Sequence, residues 1–310
     1  MTKFDIEISE VGPRDGLQSI SAIMSTEDKI AWIDALVAAG IPEIEVGSFV
    51  PATLLPQLAD THQLVEHAKQ YKGLSIAVLV PNLRGAQNAL KTSPTKMSIP
   101  LSVSETHSLR NVKRTHKQML EEVANIAQFI KSLPVENRPK FEGGLATAFG
   151  CTIEGSVNED SVVSLAVALM EAGCDEVGLS DTTGSGNPAQ VKRLIKKVWA
   201  AVGKENLSGI HLHNTRGQGL ANALAAIEVG ITTVDSSMGG IGGCPAAPGA
   251  SGNIVTEDLV FMLEAMGLRT GINFEKLFEA REILAKALPN EQLYGFTPNA
   301  GLPKGFKYAR

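Results

Sequence analysis

Eight short runs rich in β-branched and other apolar residues alternate with segments of helical periodicity, and this alternation restricts the folds open to the chain. The strand candidates are 4–11, 43–49, 74–80, 97–102, 141–149, 176–181, 208–213 and 232–237. Helical patterns follow at 25–39, 55–71, 83–92, 116–132, 159–172, 188–202, 217–229 and 256–266. Local signals agree. Ser25 followed by Asp28 has a capping-box pattern, Ile30, Ile33 and Val37 form an apolar stripe, and Gly40 is a C-terminal stop. Asn187 and Pro188 supply a cap and a proline at a first helical position. Strand-helix units pair their strands in parallel, and eight of them in about 250 residues fit a closed (β/α)8 barrel, the TIM barrel, better than an open doubly wound sheet. Gly143 and Gly144 weaken the fifth strand, though glycines there also admit a ligand close to the backbone. We expect 1–273 to form the barrel. Residues 274–310, a helix near 274–288 and a tail rich in Gly and Pro, should pack on it or cover the active site of a neighbouring subunit.

Composition narrows the partners. With 44% hydrophobic and 20% charged residues in 310, the chain can bury a large core. A net charge of -5 gives no electrostatic footprint for nucleic acid or an anionic membrane, which argues for a small-molecule partner. There is no basic-then-apolar leader and no apolar run of about 18 residues, so a cytoplasmic location is expected. Cys151, Cys174 and Cys244 lack CxxC spacing and even pairing, so a disulfide framework is not expected.

The chemistry gathers at the ends of strands. In Ser-Gly-Ile-His-Leu-His-Asn, residues 208–214, His211 and His213 stand at i and i+2 and so share a face of the seventh strand. Arg14 and Asp15 follow the first strand, Glu45 closes the second, Asp181 closes the sixth, and Cys244 follows the eighth. A barrel brings all these ends to one rim. Asp15, His211 and His213 make a mixed oxygen and nitrogen set for a divalent cation, with Asn253 a candidate fourth ligand. Magnesium or manganese suits it at least as well as zinc. Taken singly, Asp15 also fits a turn at 13–16 and Asn253 a loop or helix cap. Arg14 fits an oxyanion stabiliser, or a salt bridge to Glu45 or Asp181. Cys244 lies in a glycine-rich stretch, 239–253, with the hinges a lid needs, where a thiol with a lowered pKa moves protons. Alternatively it is a small buried hydrophobe, the reading favoured for Cys151 and Cys174.

These residues sit in recognisable contexts. Val11-Gly-Pro-Arg-Asp-Gly-Leu-Gln18, Ile44-Glu-Val-Gly-Ser-Phe-Val50, Ser180-Asp-Thr-Thr-Gly184, residues 234–245 with the cysteine, and residues 249–259 resemble the 3-hydroxy-3-methylglutaryl-CoA lyase family over nearly the whole chain. That family belongs to the metal-dependent aldolase and Claisen-type barrels. The resemblance implies that Asp15, His211, His213 and Asn253 take the metal, that Arg14 polarises the thioester carbonyl and stabilises the enolate, and that Cys244 transfers protons. Glu45 and Asp181 are implied as supporting acidic groups. The implied reaction cleaves 3-hydroxy-3-methylglutaryl-CoA to acetyl-CoA and acetoacetate, in a homo-oligomer of two or four copies. Arg110, Lys113, Arg114 and Lys117 are candidates for the phosphates of CoA, or simply a solvated helix start.

The chain departs from the family pattern at several points. Ser19-Ile20-Ser21 replace a charged cluster, Glu142 stands for an arginine, Gly178 for a serine, and Asn214 for an aspartate. The reaction type is therefore better specified than the acyl group. Citramalyl-CoA or another 3-hydroxyacyl-CoA is an alternative substrate, and a Claisen-condensing synthase or a non-catalytic binding barrel an alternative function.

Overall fold

The computed structural model describes residues 4–242 and 252–310. In chain order come β1 (Glu7–Glu10), a π-helical turn (Gly12–Gly16), α1 (Thr26–Ala39), β2 (Glu43–Ser48), α2 (Thr61–Ala68), β3 (Ser75–Leu79), α3 (Leu83–Ala89) and β4 (Lys96–Ser102). These lead to α4 (Glu105–Asn111), α5 (His116–Lys131), β5 (Lys140–Ala146), α6 (Glu159–Ala172), β6 (Glu176–Asp181), α7 (Pro188–Val202), β7 (Gly209–Leu212), α8 (Gly219–Val229) and β8 (Thr233–Ser236). Three helices complete the chain: α9 (Thr256–Ala265), α10 (Phe274–Ala287) and α11 (Thr297–Ala300). The strands form a closed barrel in sequence order, and β8 returns to pair in parallel with β1 from Glu7 opposite Thr233 to Glu10 opposite Ser236.

Strand alternation decides what fills each side of this barrel. Outward positions such as Ile8, Ile44, Met97, Ile99, Leu145, Leu179 and Val234 are buried under the helices and make the core. The inward row is different. Lys96, Ser98 and Pro100 on β4, Glu142, Gly144 and Ala146 on β5, and Thr233 and Asp235 on β8 are only half-buried, including Ser98, Pro100, Glu142 and Gly144 within their strands. Barrels of this kind usually fill the lumen with bulky branched side chains. Here the positions named on β4, β5 and β8 carry small and polar groups instead.

The caps behave as the sequence suggests. Ser25 Oγ accepts the Asp28 amide at 3.1 Å, Gly40 ends α1 at φ 98°, and Asn187 caps α7. Two elements differ from expectation. The helix expected over 55–71 is confined to Thr61–Ala68, because Pro56 opens a separate 3-10 turn at Pro56–Leu58. Helix α4 is additional; at seven residues it is too short to print a period, and the Ser104 hydroxyl caps it through the His107 amide.

The C-terminal segment lies against the first and last units of the barrel. The Asn273 amide donates to Ala39 O at 2.8 Å, and the Phe274 ring meets Phe306 and Tyr308. Arg281 Nη1 donates to Glu257 Oε1 at 2.6 Å, and the Tyr294 amide donates to Gly239 O at 2.7 Å, tying the tail to the loop after β8. Cys151 and Cys174 are buried, and burial pushes the Cys174 thiol up to about 12. Among the described residues no helix is long and apolar enough to cross a membrane.

Candidate metal centre

The turn after β1 delivers the first two site residues. The amides of Arg14, Asp15 and Gly16 all donate to Val11 O, at 3.1, 2.7 and 3.3 Å, so the chain winds into one wide turn. Gly12 is needed there, since a Cβ would come within 2.8 Å of the Trp32 ring and 2.5 Å of Glu10 Oε1. The winding directs Arg14 and Asp15 to the barrel rim.

Across the rim, His211 and His213 leave β7 on one face, with buried Leu212 pointing the other way. Their Nε2 atoms are 3.0 Å apart, and Asp15 Oδ2 lies 3.8 Å from His213 Nε2 and 4.0 Å from His211 Nε2. These three groups are a cluster able to hold a metal ion. Asn253 closes the set. Its Nδ2 donates to Asp15 Oδ2 at 2.8 Å, while its Oδ1 is buried without a hydrogen-bond partner. An orphaned buried acceptor costs about 1–3 kcal/mol, which a cation at this oxygen would relieve. Adjacent ligands of an octahedral cation with bonds of about 2.1 Å lie about 3.0 Å apart, so small movements of Asp15 would complete the geometry. One carboxylate, two imidazoles and one amide oxygen therefore fit a divalent cation.

The electrostatics favour the ligating state of Asp15 and place a negative environment around His211 that attracts a cation. Burial alone would raise the Asp15 carboxyl, but Arg14, both histidines and the Asn253 amide bring it down to about 2. Burial also opposes a charge on His211, yet Asp235 and Asp15 outweigh it and raise its pKa. His211 Nδ1 stands 3.1 Å from Asp235 Oδ2 on β8. An Nδ1–H donated to that carboxylate fixes the tautomer that leaves the Nε2 lone pair facing Asp15.

Arg14 sits beside this cluster with its guanidinium shared. Nε donates to Glu45 Oε2 at 2.6 Å and Nη1 to Asp15 Oδ1 at 2.7 Å, while Ser98 Oγ donates to Glu45 Oε1 at 3.3 Å. Burial works against the Arg14 charge, but the carboxylates of Glu45 and Asp15 push its pKa up. Burial raises the Glu45 carboxyl, against the pull of Arg14. The salt-bridge alternative for Arg14 thus holds for Glu45 and not for Asp181. Glu45 stands in mid-strand on β2, next to a register shift, rather than at its end.

Asp181 turns to its own loop. Its Oδ1 and Oδ2 accept the amides of Ser185 and Gly186 at 2.8 and 3.0 Å, which holds the loop between β6 and α7. Burial raises its carboxyl despite those bonds. Cys244 lies outside the described residues. Two carboxylates, the half-buried Asp235 and the buried Glu10, escaped the sequence reading. Asp235 stands in the strand-eight motif, and its pairing with the histidine strand was the available signal. Glu10 gave none; it accepts the Gly12 and Met238 amides at 2.9 and 2.8 Å and binds Thr256 Oγ1 at 2.6 Å behind the same turn.

A closed eight-stranded barrel with a cation-binding set and a shared guanidinium on its C-terminal rim defines a metal-site barrel enzyme. Comparison with known proteins specifies it further. The HMGL-like family model matches residues 5–284, and the chain belongs to that family. It is 40% identical to a hydroxymethylglutaryl-CoA lyase of Bacillus subtilis, over 94% of this chain and 97% of that protein. The cytoplasmic 3-hydroxy-3-methylglutaryl-CoA lyase of Homo sapiens is 40% identical over 91% of this chain and 75% of its own length. Among solved structures, an HMG-CoA lyase of Acinetobacter baumannii in complex with coenzyme A and 3-methylmalate superposes with a TM-score of 0.91 at 38% identity, covering 99% of each chain.

Proposed function

We propose that the chain is a divalent-cation-dependent acyl-CoA lyase that cleaves 3-hydroxy-3-methylglutaryl-CoA to acetyl-CoA and acetoacetate. The observation that carries the reading is the convergence of Asp15, His211, His213 and the unpartnered Asn253 Oδ1 beside Arg14, in a chain similar to lyases along almost its whole length. Magnesium or manganese is the proposed ion, held by Asp15, His211, His213 and Asn253. When bound, it lowers the pKa of the 3-hydroxyl and orients the acyl group.

The residues of the chain do the rest. A base takes the 3-hydroxyl proton, the C3–O electrons form the ketone of acetoacetate, and the C2–C3 electrons move into the acetyl-CoA enolate. Arg14 holds the developing oxyanion in a site that is largely shielded from water. Cys244 is proposed to move the proton, delivering it to C2 of the enolate as a general acid. Glu45 keeps the guanidinium in place, and Asp181 fixes the loop that follows β6.

Residues 1–273 are proposed as the catalytic unit and 274–310 as its extension, in a cytoplasmic homo-oligomer. Purified protein with magnesium or manganese should release acetyl-CoA and acetoacetate in equal amounts from the thioester, and Cys244→Ala should lose about 10²-fold or more in rate with the fold intact. Full activity in that variant, or in chelator, overturns the mechanism.

A further inference from the structure

Two departures from the family pattern prove to be one feature of the lumen. Glu142 points inward from β5, and a Cβ on Gly178 of β6 would collide with its Oε1. The glutamate occupies the volume that a side chain at 178 would need. It is anchored there by Lys96, whose Nζ stands 2.6 Å away and also approaches Glu176 at 3.4 Å and Glu43 at 3.5 Å. Lys140 Nζ meets Glu176 at 2.6 Å.

Above this floor the wall is bare. Gly144 lies in register with Gly178, and a Cβ on Gly144 would meet only Ile99 O, at 3.8 Å. Ser98 and Pro100 of β4 flank the gap on one side, and Ser180 of β6, opposite His211 in register, tops it on the other. The result is a shaft that opens beneath His211 and ends on the Glu142–Lys96 pair. Two residues of strand separate Ser180 from Gly178, a drop of about 6 Å, or room for roughly three heavy atoms. The floor is anionic, since among the described residues the four carboxylates Glu7, Glu43, Glu142 and Glu176 are set against two cations, Lys96 and Lys140. Burial raises the carboxyls of Glu142 and Glu7, as expected where carboxylates crowd.

We infer that this shaft is the specificity pocket for a branch on C3 of the acyl group, and that it takes an uncharged branch longer than methyl which ends in a hydrogen-bond donor, such as a hydroxypropyl group. The inference rests on the lyase reading, which places C3 at the cation and therefore over the shaft mouth. A carboxylate-ended branch meets repulsion from the floor, while a hydroxyl finds acceptors on Glu142 and on the Ser98 and Ser180 hydroxyls.

The test uses the full chain with manganese and four thioesters: 3-hydroxy-3-methylglutaryl-CoA and its analogues with propyl, 3-hydroxypropyl or 2-carboxyethyl in place of the methyl. The expected kcat/KM for the hydroxypropyl analogue equals or exceeds that for the methyl compound, and the carboxyethyl analogue falls about 100-fold below it. Gly144→Val, which fills the shaft, should cut the hydroxypropyl-to-methyl preference about tenfold or more, mainly through KM. Gly144→Ala, for which there is space, should give a smaller shift in the same direction. Glu142→Gln should improve the carboxyethyl analogue relative to the hydroxypropyl one by about tenfold, the effect of removing roughly 1.4 kcal/mol of repulsion. Cleavage of the methyl compound without any of the longer ones overturns the shaft and leaves the lyase reading standing. Cleavage of none, by protein with native circular dichroism, overturns both.

Discussion

His211 and His213 point their Nε2 atoms at each other across 3.0 Å, and Asp15 Oδ2 faces both. Only one N–H can lie between two imidazoles, whereas a cation accepts a lone pair from each. Manganese at about 100 times its dissociation constant should therefore stabilise the fold by about 2.7 kcal/mol, several degrees in thermal midpoint for a chain this long. A fluorimetric melt measures this. His213→Ala should remove the shift, and persistence of the full shift in that variant would contradict the assignment.

Arg14 shares its guanidinium between Glu45 at 2.6 Å and Asp15 at 2.7 Å. A lysine ammonium keeps the charge but lacks the planar fork that meets both partners and an oxyanion together. Arg14→Lys should lower kcat by about 10²- to 10³-fold, the usual consequence of losing a preorganised oxyanion donor. Steady-state kinetics with near-ultraviolet dichroism as a fold control decide it; a loss below tenfold removes Arg14 from the chemistry.

Asp235 orients His211 from the neighbouring strand, 3.1 Å from Nδ1. Asp235→Asn retains the shape but weakens the bond that holds the imidazole tautomer. Metal affinity by calorimetry should fall about 10- to 100-fold. Unchanged affinity would reduce Asp235 to a lining residue.

Glu10 carries a pH dependence separate from catalysis. Burial, against hydrogen bonds from Thr256, Met238 and Gly12, pushes its carboxyl from 4.5 up to about 8. The folded protein therefore keeps a proton that the unfolded chain releases above pH 4.5. Its contribution is whole below that pH and drains as pH climbs towards 8. Glu10→Gln, which mimics the protonated group, should flatten the decline in thermal midpoint between about pH 5 and 8. An equal slope in variant and parent would show that Glu10 titrates normally.

The barrel was legible because each unit repeats a physical signal: β-branched runs of strand length, capped helices, glycine stops at Gly40, Gly173 and Gly230. The histidine pair was legible because strand geometry alone puts i and i+2 on one face. Asp235 was harder, since a lone aspartate within a strand gains meaning only when register sets it beside His211. Glu10 shares a strand face with Ile6 and Ile8, a face that the barrel buries beneath helices, and a lone carboxylate at the end of that apolar row does not announce its partners. Asp181 was legible as a strand-end residue, but its hydrogen bonds to the backbone of its own loop appear only in the folded chain. The link between Glu142 and Gly178 spans neighbouring strands and appears only when the lumen is assembled.

The most direct test of the central claim is a crystal grown with manganese and measured for anomalous scattering. The expected result is one peak at about 2.1 Å from Asp15, His211 Nε2, His213 Nε2 and Asn253 Oδ1, with positions left open towards Arg14. A peak bound by other residues, or none at saturating manganese, would contradict it.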